Sequence, residues 1–394
     1  MITMRSVAAL VTVLLTSGLS FGAVITVCQS GCDEVLISDA IQVATNGDTI
    51  LVYPGLYEEP ATVEVNKRLR IVGFGPDSTL IRMTAPPDEA GFVLVVTNEV
   101  PAGGVIEISG FSVGGGWAGE IYTFPHPDRC PDLVRVNNCA LWGATGSPSG
   151  GSSEGYAYRA DNCPTELRNS TVTASQHGIW IDDTDHVIVN SAVFGNTSET
   201  NGAGIEITET ATLTLENVTV SGNTSTSGEG AGIWNRGTAY IQNSTIAFNE
   251  SSTGYAAGLK SEGMTTISNS IIAENIGNNC GGLPVSQGFN LDSDGSCELN
   301  GVGDISGIPS GLSPLADNGG PSPTHGLELW SPALDAIVSN PFPSTDQRLV
   351  PRPQDGDGDG SAAADMGAFE LIQGLSFYDG FEIGDTSAWS ATVP

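Results

Sequence analysis

Through the middle of the chain apolar and polar residues alternate over short runs, and each run ends in Gly, Asn or Ser. A period of two rich in β-branched residues predicts short strands, and the punctuating residues predict tight turns between them. The runs repeat. Leu167-Arg-Asn169-Ser-Thr-Val172, Val189-Asn190-Ser-Ala-Val193, Leu215-Glu-Asn217-Val-Thr-Val220, Ile241-Gln-Asn243-Ser-Thr-Ile246 and Ile267-Ser-Asn269-Ser-Ile-Ile272 share one pattern, with their asparagines 21, 27, 26 and 26 residues apart. A second asparagine follows six residues later in four of them, at Asn196, Asn223, Asn249 and Asn275, and Gly178-Ile, Gly204-Ile, Gly232-Ile and Gly258-Leu recur in step. A unit of this size cannot bury its own apolar face. Stacking solves that: each strand pairs with its equivalent in the next coil about 4.8 Å away, and the inward residues form one continuous core. Asparagines recurring at one place then form ladders, since Asn tolerates a left-handed turn and its amide bonds to the next coil. Asn169, Asn196, Asn217, Asn223, Asn243 and Asn249 also fit Asn-x-Ser/Thr, but a ladder pointing inward is closed to a glycosyl transferase.

The pattern changes at both ends. From Asp33 to Thr45 the apolar residues Leu36, Ile37, Ala40, Ile41 and Ala44 take helical spacing, so a helix with Asp33 as N-cap is expected to cover the open first coil. From about Ile305 the repeat stops and Pro, Gly and Asp take over. The expected organisation is an N-terminal cap over 23–47, about ten coils over 48–304, an irregular C-terminal module over 305–372 and a tail over 373–394.

Composition agrees with a chain that turns often: 51 glycines and 22 prolines in 394 residues leave no room for long helices. Thirteen Lys and Arg stand against 45 Asp and Glu, a net charge of −32, which argues against nucleic acid as a partner. Met1 to Arg5 is a short basic start, Ser6 to Leu15 is apolar, and Ser20 and Gly22 are small, so 1–22 reads as an export signal. No other stretch is long and apolar enough to span a bilayer, and an extracellular or cell-surface protein is expected. There the seven cysteines can oxidise. Cys28 and Cys32 are close neighbours and Cys280 and Cys297 bracket a Gly-rich turn, so these four are the expected disulfide cysteines; Cys130, Cys139 and Cys163 leave one over.

The repeats from Ala157 to Asn275 resemble those of right-handed parallel β-helix proteins, the architecture of pectate lyases and their relatives. The run from Gly47-Asp-Thr-Ile through Gly55-Leu-Tyr57 to Gly73-Phe-Gly75 is similar to the opening coils of that superfamily. The fold class implied is all-β, a right-handed parallel β-helix solenoid with an N-terminal capping helix and an irregular C-terminal module. Leu315-Ala-Asp-Asn-Gly-Gly-Pro-Ser-Pro-Thr-His325, Ser331-Pro-Ala-Leu-Asp335, Asp346-Gln-Arg348, Arg352-Pro and Asp365-Met-Gly-Ala-Phe-Glu370 resemble the C-terminal region of secreted bacterial β-helix proteins grouped as choice-of-anchor Q. Leu349 and Ile337 stand where that pattern has glycines, which implies two altered turns. The segment from Phe377 to Ser390 is similar to tails of varied exported bacterial proteins.

Aligned on the Gly-aliphatic pairs, Arg159, Trp180, Glu206, Trp234 and Lys260 fall in one column, with Asp161, Asp182, Thr208, Arg236 and Glu262 two residues on. Alternation turns both columns outward and Ile179, Ile181, Ile205, Ile207 and Ile233 inward. Tryptophans two coils apart, interleaved with charges, suit a carbohydrate groove, because an aromatic face packs on the apolar face of a sugar ring while charged neighbours bond its hydroxyls. Candidates for catalysis are Asp182, Asp183 and His186. Trp180-Ile-Asp182 resembles a pectate lyase motif, but Asp183 stands where His follows, and the His177-Gly178 and Asp182-Asp183 tokens of polygalacturonases come in the wrong order. Asp355, Asp357 and Asp359 alternate with glycine like the first half of an EF-hand loop, which makes calcium the expected ion, although Met366 replaces the Glu that closes such loops. The expected function is binding of a polysaccharide or another surface component without catalysis. The alternative is a polysaccharide lyase or glycoside hydrolase acting around Trp180 to Lys260.

Overall fold

The computed structural model describes residues 22–84, 92–97, 100–115, 119–123, 130–144, 155–339 and 341–372. The export signal expected over 1–22 lies, but for Gly22, outside them, as does the 373–394 tail. Short strands stack in register into a parallel β-helix. One sheet carries nine parallel strands, one per coil, from Val63–Val65 through Tyr156–Asp161, His177–Asp182, Ile205–Ile207, Ile233–Asn235 and Leu259–Ser261 to Cys280–Gly281. A 20-stranded sheet wraps the remaining sides, and a three-stranded one, Thr197–Ser198, Thr224–Ser225 and Glu250–Ser251, closes a corner.

The large sheet bends at asparagine. Between Asp185–Phe194 and Thr212–Ser221 the register runs Val189 to Glu216 and resumes at Ser191 to Val218, leaving Asn190 and Asn217 at the corner with φ of 50° and 54°. Asn169, Asn243 and Asn269 take the same left-handed conformation. The Nδ2 of Asn217 donates to Oδ1 of Asn190 at 3.2 Å, and that of Asn269 to Asn243 at 3.1 Å. The second ladder is tighter: Asn196 donates to Asn223 at 2.9 Å, Asn223 to Asn249 and Asn249 to Asn275 at 3.0 Å each. The same Oδ1 atoms accept backbone N–H groups, so each buried amide replaces the water that its turn would otherwise need. Asn196, Asn217, Asn223, Asn243 and Asn249 are buried, and five of the six glycosylation triplets are sealed in the core.

The Gly-aliphatic pairs have a steric cause. A Cβ on Gly232 would lie 2.5 Å from the carbonyl oxygen of Gly258 and 2.9 Å from Nδ2 of Asn249, and Gly204 meets Gly232 and Asn223 in the same way. The glycine column lets the second asparagine ladder approach the groove sheet.

Two details at the N-terminus differ from expectation. The helix spans Ile37–Val43, shorter than 33–45, and Asp33 does not cap it. Strand Val24–Val27 pairs in parallel with Thr49–Val52, so the coils begin ahead of the helix rather than at 48. Asp33 is spent on that strand, accepting from Thr26 N at 2.9 Å and Thr26 Oγ1 at 2.7 Å. The helix N-terminus is met instead by the buried Glu59, whose oxygens accept from Ile37 N at 2.7 Å and Ser38 Oγ at 2.6 Å. Ile37, Ala40, Ile41 and Ala44 are buried as the spacing predicts.

The C-terminal module opens with an antiparallel hairpin, Leu312–Ala316 with Thr324–Leu327, and lies against the asparagine side of the solenoid. Asn217 Nδ2 donates to Thr345 O and Asn269 Nδ2 to Pro341 O, both at 2.9 Å; Thr219 Oγ1 donates to Gln347 Oε1 at 2.7 Å. Inside it, Arg348 pairs with Asp346 at 2.8 Å and lies 3.6 Å over the Phe369 ring, while Arg352 pairs with Glu370 at 3.5 Å, all buried. Leu349 adopts φ of 72°, the conformation glycine would take without strain.

Disulfides join Cys28 to Cys32 and Cys280 to Cys297. Cys130 bonds Cys163 in the next coil, and the odd cysteine is Cys139, buried.

Candidate functional site

The outward column exists in register. Arg159 pairs with Trp180, Trp180 with Glu206, Glu206 with Trp234 and Trp234 with Lys260, and Tyr122 extends it one coil before Arg159. Ile179, Ile181, Ile205, Ile207 and Ile233 are buried beneath. Parallel stacking of identical registers converts a sequence period into a straight row of side chains on a rigid sheet.

Each cation of the two outward columns is held twice, by a ring and by a carboxylate. The Arg159 guanidinium lies 4.3 Å from the Trp180 ring centroid and 4.9 Å from that of Tyr122, and Nη2 is 3.3 Å from Asp161 Oδ2. That oxygen also accepts from the Tyr122 hydroxyl at 2.7 Å. Burial pushes the Asp161 carboxyl up, with the Tyr122 bond pulling it back. Arg236 lies 4.3 Å over the Trp234 ring, with Nη2 2.8 Å from Glu206 Oε1 and Nη1 2.6 Å from Glu209 Oε1. Lys260 is 2.7 Å from Glu229, 3.8 Å from Glu262 and 4.8 Å over Tyr255. Burial alone would lower its basicity, but the Glu229 hydrogen bond and charge outweigh burial and raise it above that of an ordinary lysine.

Around the middle of the row lies a cleft of ≈ 570 Å3, lined by Tyr156, Trp180, Glu206 and Trp234 on the sheet and by Glu199, Thr200, Asn201, Ser227 and Gly228 from the neighbouring turns. Trp180 and Trp234 are two coils apart, about 9.6 Å along the axis at the spacing of paired strands, with Glu206 between them. Both indoles are half-buried, with the Arg159 guanidinium over Trp180 and that of Arg236 over Trp234. Tyr156 reaches across two coils, its hydroxyl 3.4 Å from Glu206 Oε2. Tyr122, Tyr156 and the turn residues Glu199, Thr200, Asn201, Ser227 and Gly228 were not expected from the sequence. Tyr122 precedes an irregular coil that breaks the repeat phase, and Tyr156 sits three positions before the column. Glu199 stands in a turn with no strand pattern.

The catalytic candidates are not brought together. His186, on the large sheet, is buried: Nδ1 is 2.9 Å from Thr165 Oγ1 and Nε2 is 2.7 Å from the carbonyl of Asp183. A ring bonded at both nitrogens inside the wall cannot serve a groove on the other sheet, and burial lowers its basicity. Asp182 Oδ1 accepts from Thr208 Oγ1, Thr210 Oγ1 and Asp183 N, and Asp183 is a left-handed turn residue with φ of 48°.

The expected metal set is also altered. Ligand oxygens of Asp335, Asp355 and Asp357 lie within 4.8 Å of one another, whereas Asp359 is not among them and accepts from Ser361 N at 2.8 Å. Asp335 enters because its carboxylate accepts from Gly356 N and Asp357 N, at 3.1 and 2.9 Å, wrapping the loop around it. Three oxygens at this separation fit one hard cation with oxygens at about 2.3–2.6 Å. Asp292 and Asp294 form a turn, Asp292 terminating the second ladder by accepting from Asn279 Nδ2 at 2.8 Å.

The family model described as "Right handed beta helix region" matches residues 150–303. No curated protein matches the chain. Among solved structures, the crystal structure of pectate lyase Pel9A is similar, with a TM-score of 0.55 and 14% identity over 90% of this chain and 98% of that chain. Among the described residues no helix is long and apolar enough to cross a membrane. Register, ladders and comparisons together make this chain an all-β, right-handed parallel β-helix solenoid, similar to a pectate lyase in fold.

Proposed function

We propose that this is an exported, extracellular or cell-surface protein that binds a polysaccharide in the cleft between Trp180 and Trp234 without cleaving it. The observation that carries this is an open cleft bearing two half-buried indoles on a rigid sheet, each backed by an arginine, which suits stacking of a sugar on the side the arginine leaves open. The three disulfides fit an oxidising compartment.

The state of the titratable groups favours binding over chemistry. Hydrolysis wants two carboxyl groups free to reach the bond; of the two in the described lining, Glu199 is exposed but Glu206 is held by Arg236 and Tyr156, and outside the lining Asp182 is held by two threonines and Asp161 is buried against Tyr122 and Arg159. Elimination wants an uncharged base; Arg159, Arg236 and Lys260 are each ion-paired, and Lys260 holds its proton more tightly than usual. A calcium ion at Asp335, Asp355 and Asp357 would neutralise three crowded carboxylates and order the C-terminal loop.

The test incubates the protein with acidic and neutral polysaccharides, with and without calcium. Retardation in a polysaccharide gel without new reducing ends or unsaturated uronate absorbance is expected. Product formation that disappears in Asp182→Ala would establish the lyase or hydrolase alternative instead.

A further inference from the structure

We propose, on the reading that the cleft holds a glycan, that its ligand is a neutral chain laid along the solenoid axis, and that uronate-rich chains are turned away. The charges around the cleft are unequal. Its described lining includes the carboxylates of Glu199 and Glu206 and no Lys or Arg. The three cations of the two outward columns are matched or outnumbered: Arg159 faces Asp161, Arg236 faces Glu206 and Glu209, and Lys260 faces Glu229 and Glu262. A polyuronate carries a negative charge on every residue and would meet Glu199 with no Lys or Arg in the described lining to offset it, in a protein of net charge −32.

The groups the cleft does present suit an uncharged chain. Thr200, Asn201 and Ser227 line the wall with hydroxyl and amide groups, which bond sugar hydroxyls without requiring charge. The two indoles repeat every second coil, about 9.6 Å along the axis. That step is about the length of two sugar residues in an extended chain, so a chain parallel to the axis sets alternate residues on the two rings. A chain crossing the coils would meet one ring only.

Native affinity electrophoresis at low ionic strength tests this with hydroxyethyl cellulose, arabinoxylan and polygalacturonate gels, each with and without EDTA. Retardation by a neutral polymer, at least tenfold stronger than by polygalacturonate and reduced about tenfold in Trp180→Ala and Trp234→Ala, is the expected result. Polygalacturonate retardation that persists in EDTA and falls in the Trp variants would overturn the neutral assignment while leaving the carbohydrate reading intact. Retardation in no gel would overturn both. Glu199 is exposed, so Glu199→Lys keeps the fold and is expected to gain polygalacturonate binding. A variant still indifferent to polygalacturonate would overturn the electrostatic basis of the exclusion.

Discussion

The guanidinium of Arg236 lies 4.3 Å over the indole of Trp234 while its two terminal nitrogens hold Glu206 and Glu209. One side chain thus fixes both the ring that lines the cleft and the carboxylate on its floor. Arg236→Ala is expected to lower stability by about 1–3 kcal/mol, because Glu206 stays nine-tenths buried with its arginine gone and the Tyr156 hydroxyl still bonded to it. Thermal melts should place Arg236→Met/Glu206→Gln closer to wild type than Arg236→Ala; the reverse order would mean the pair is not what holds the ring.

The second ladder should be intolerant of substitution. Asn249 Oδ1 accepts both Asn223 N and Asn223 Nδ2, at 3.1 and 3.0 Å, and its Nδ2 donates to Val220 O at 3.0 Å. Asn249→Ala is expected to cost about 2–4 kcal/mol in denaturant unfolding, and Asn249→Asp more, since it removes donors and buries a charge. Expression in a glycosylating host should leave Asn196, Asn217, Asn223, Asn243 and Asn249 unmodified by mass. A glycan on any of them would contradict the burial.

The C-terminal module should weaken as pH rises. Burial raises Glu370 from 4.5 to about 7, with Arg352 pulling the other way, and Asp365 is raised by burial and by Glu370. A carboxyl raised on folding stabilises the fold while protonated. Its contribution is whole below the unfolded value of 4.5 and is lost as pH climbs through about 7. Glu370→Gln removes the Glu370 titration while Asp365 keeps its own, so its melting temperature relative to wild type should rise from about pH 5 to about pH 8, by the equivalent of roughly 2–3 kcal/mol. A difference that stays flat would refute the assignment.

Thiol counting checks the cysteine framework. Burial pushes the Cys139 thiol up to about 12, so the native protein should not react with Ellman's reagent. Unfolding without reductant should expose one thiol per chain, and reduction all seven. A native thiol that reacts quickly would mean Cys139 is accessible.

Chelation bears on the acidic loop. If calcium sits at Asp335, Asp355 and Asp357, EDTA should lower the melting temperature by a few degrees and Asp335→Asn should abolish the response. Asp359→Asn should preserve it, because Asp359 accepts from Ser361 N and is not in the three-carboxylate cluster. An unchanged melt under EDTA would count against a bound ion.

The cleft row was legible in the sequence because stacking is phase-locked. With Gly204, Gly232 and Gly258 at nearly constant spacing, Glu206, Trp234 and Lys260 could land only above one another. Tyr122 and Tyr156 were not legible, since the coil between them departs from the period and no phase carries across it. His186 misled for the opposite reason. It follows Asp182 and Asp183 closely in sequence, yet the chain turns between them, so that Asp182 ends a strand of the nine-stranded sheet and His186 is buried in the large one.

The sequence by itself determined the repeat, the inward isoleucines, the asparagine ladders and the file of outward side chains, because all follow from local alternation and one period. Which groups meet across that period was decided only by the tertiary structure. The cleft needs the Glu199 and Ser227 turns to rise beside Trp180 and Trp234. The acidic cluster needs Asp335, 20 residues before Asp355, brought back by the module's folding. Such meetings depend on the paths of irregular segments, whose turns carry no period and whose partners are chosen by packing.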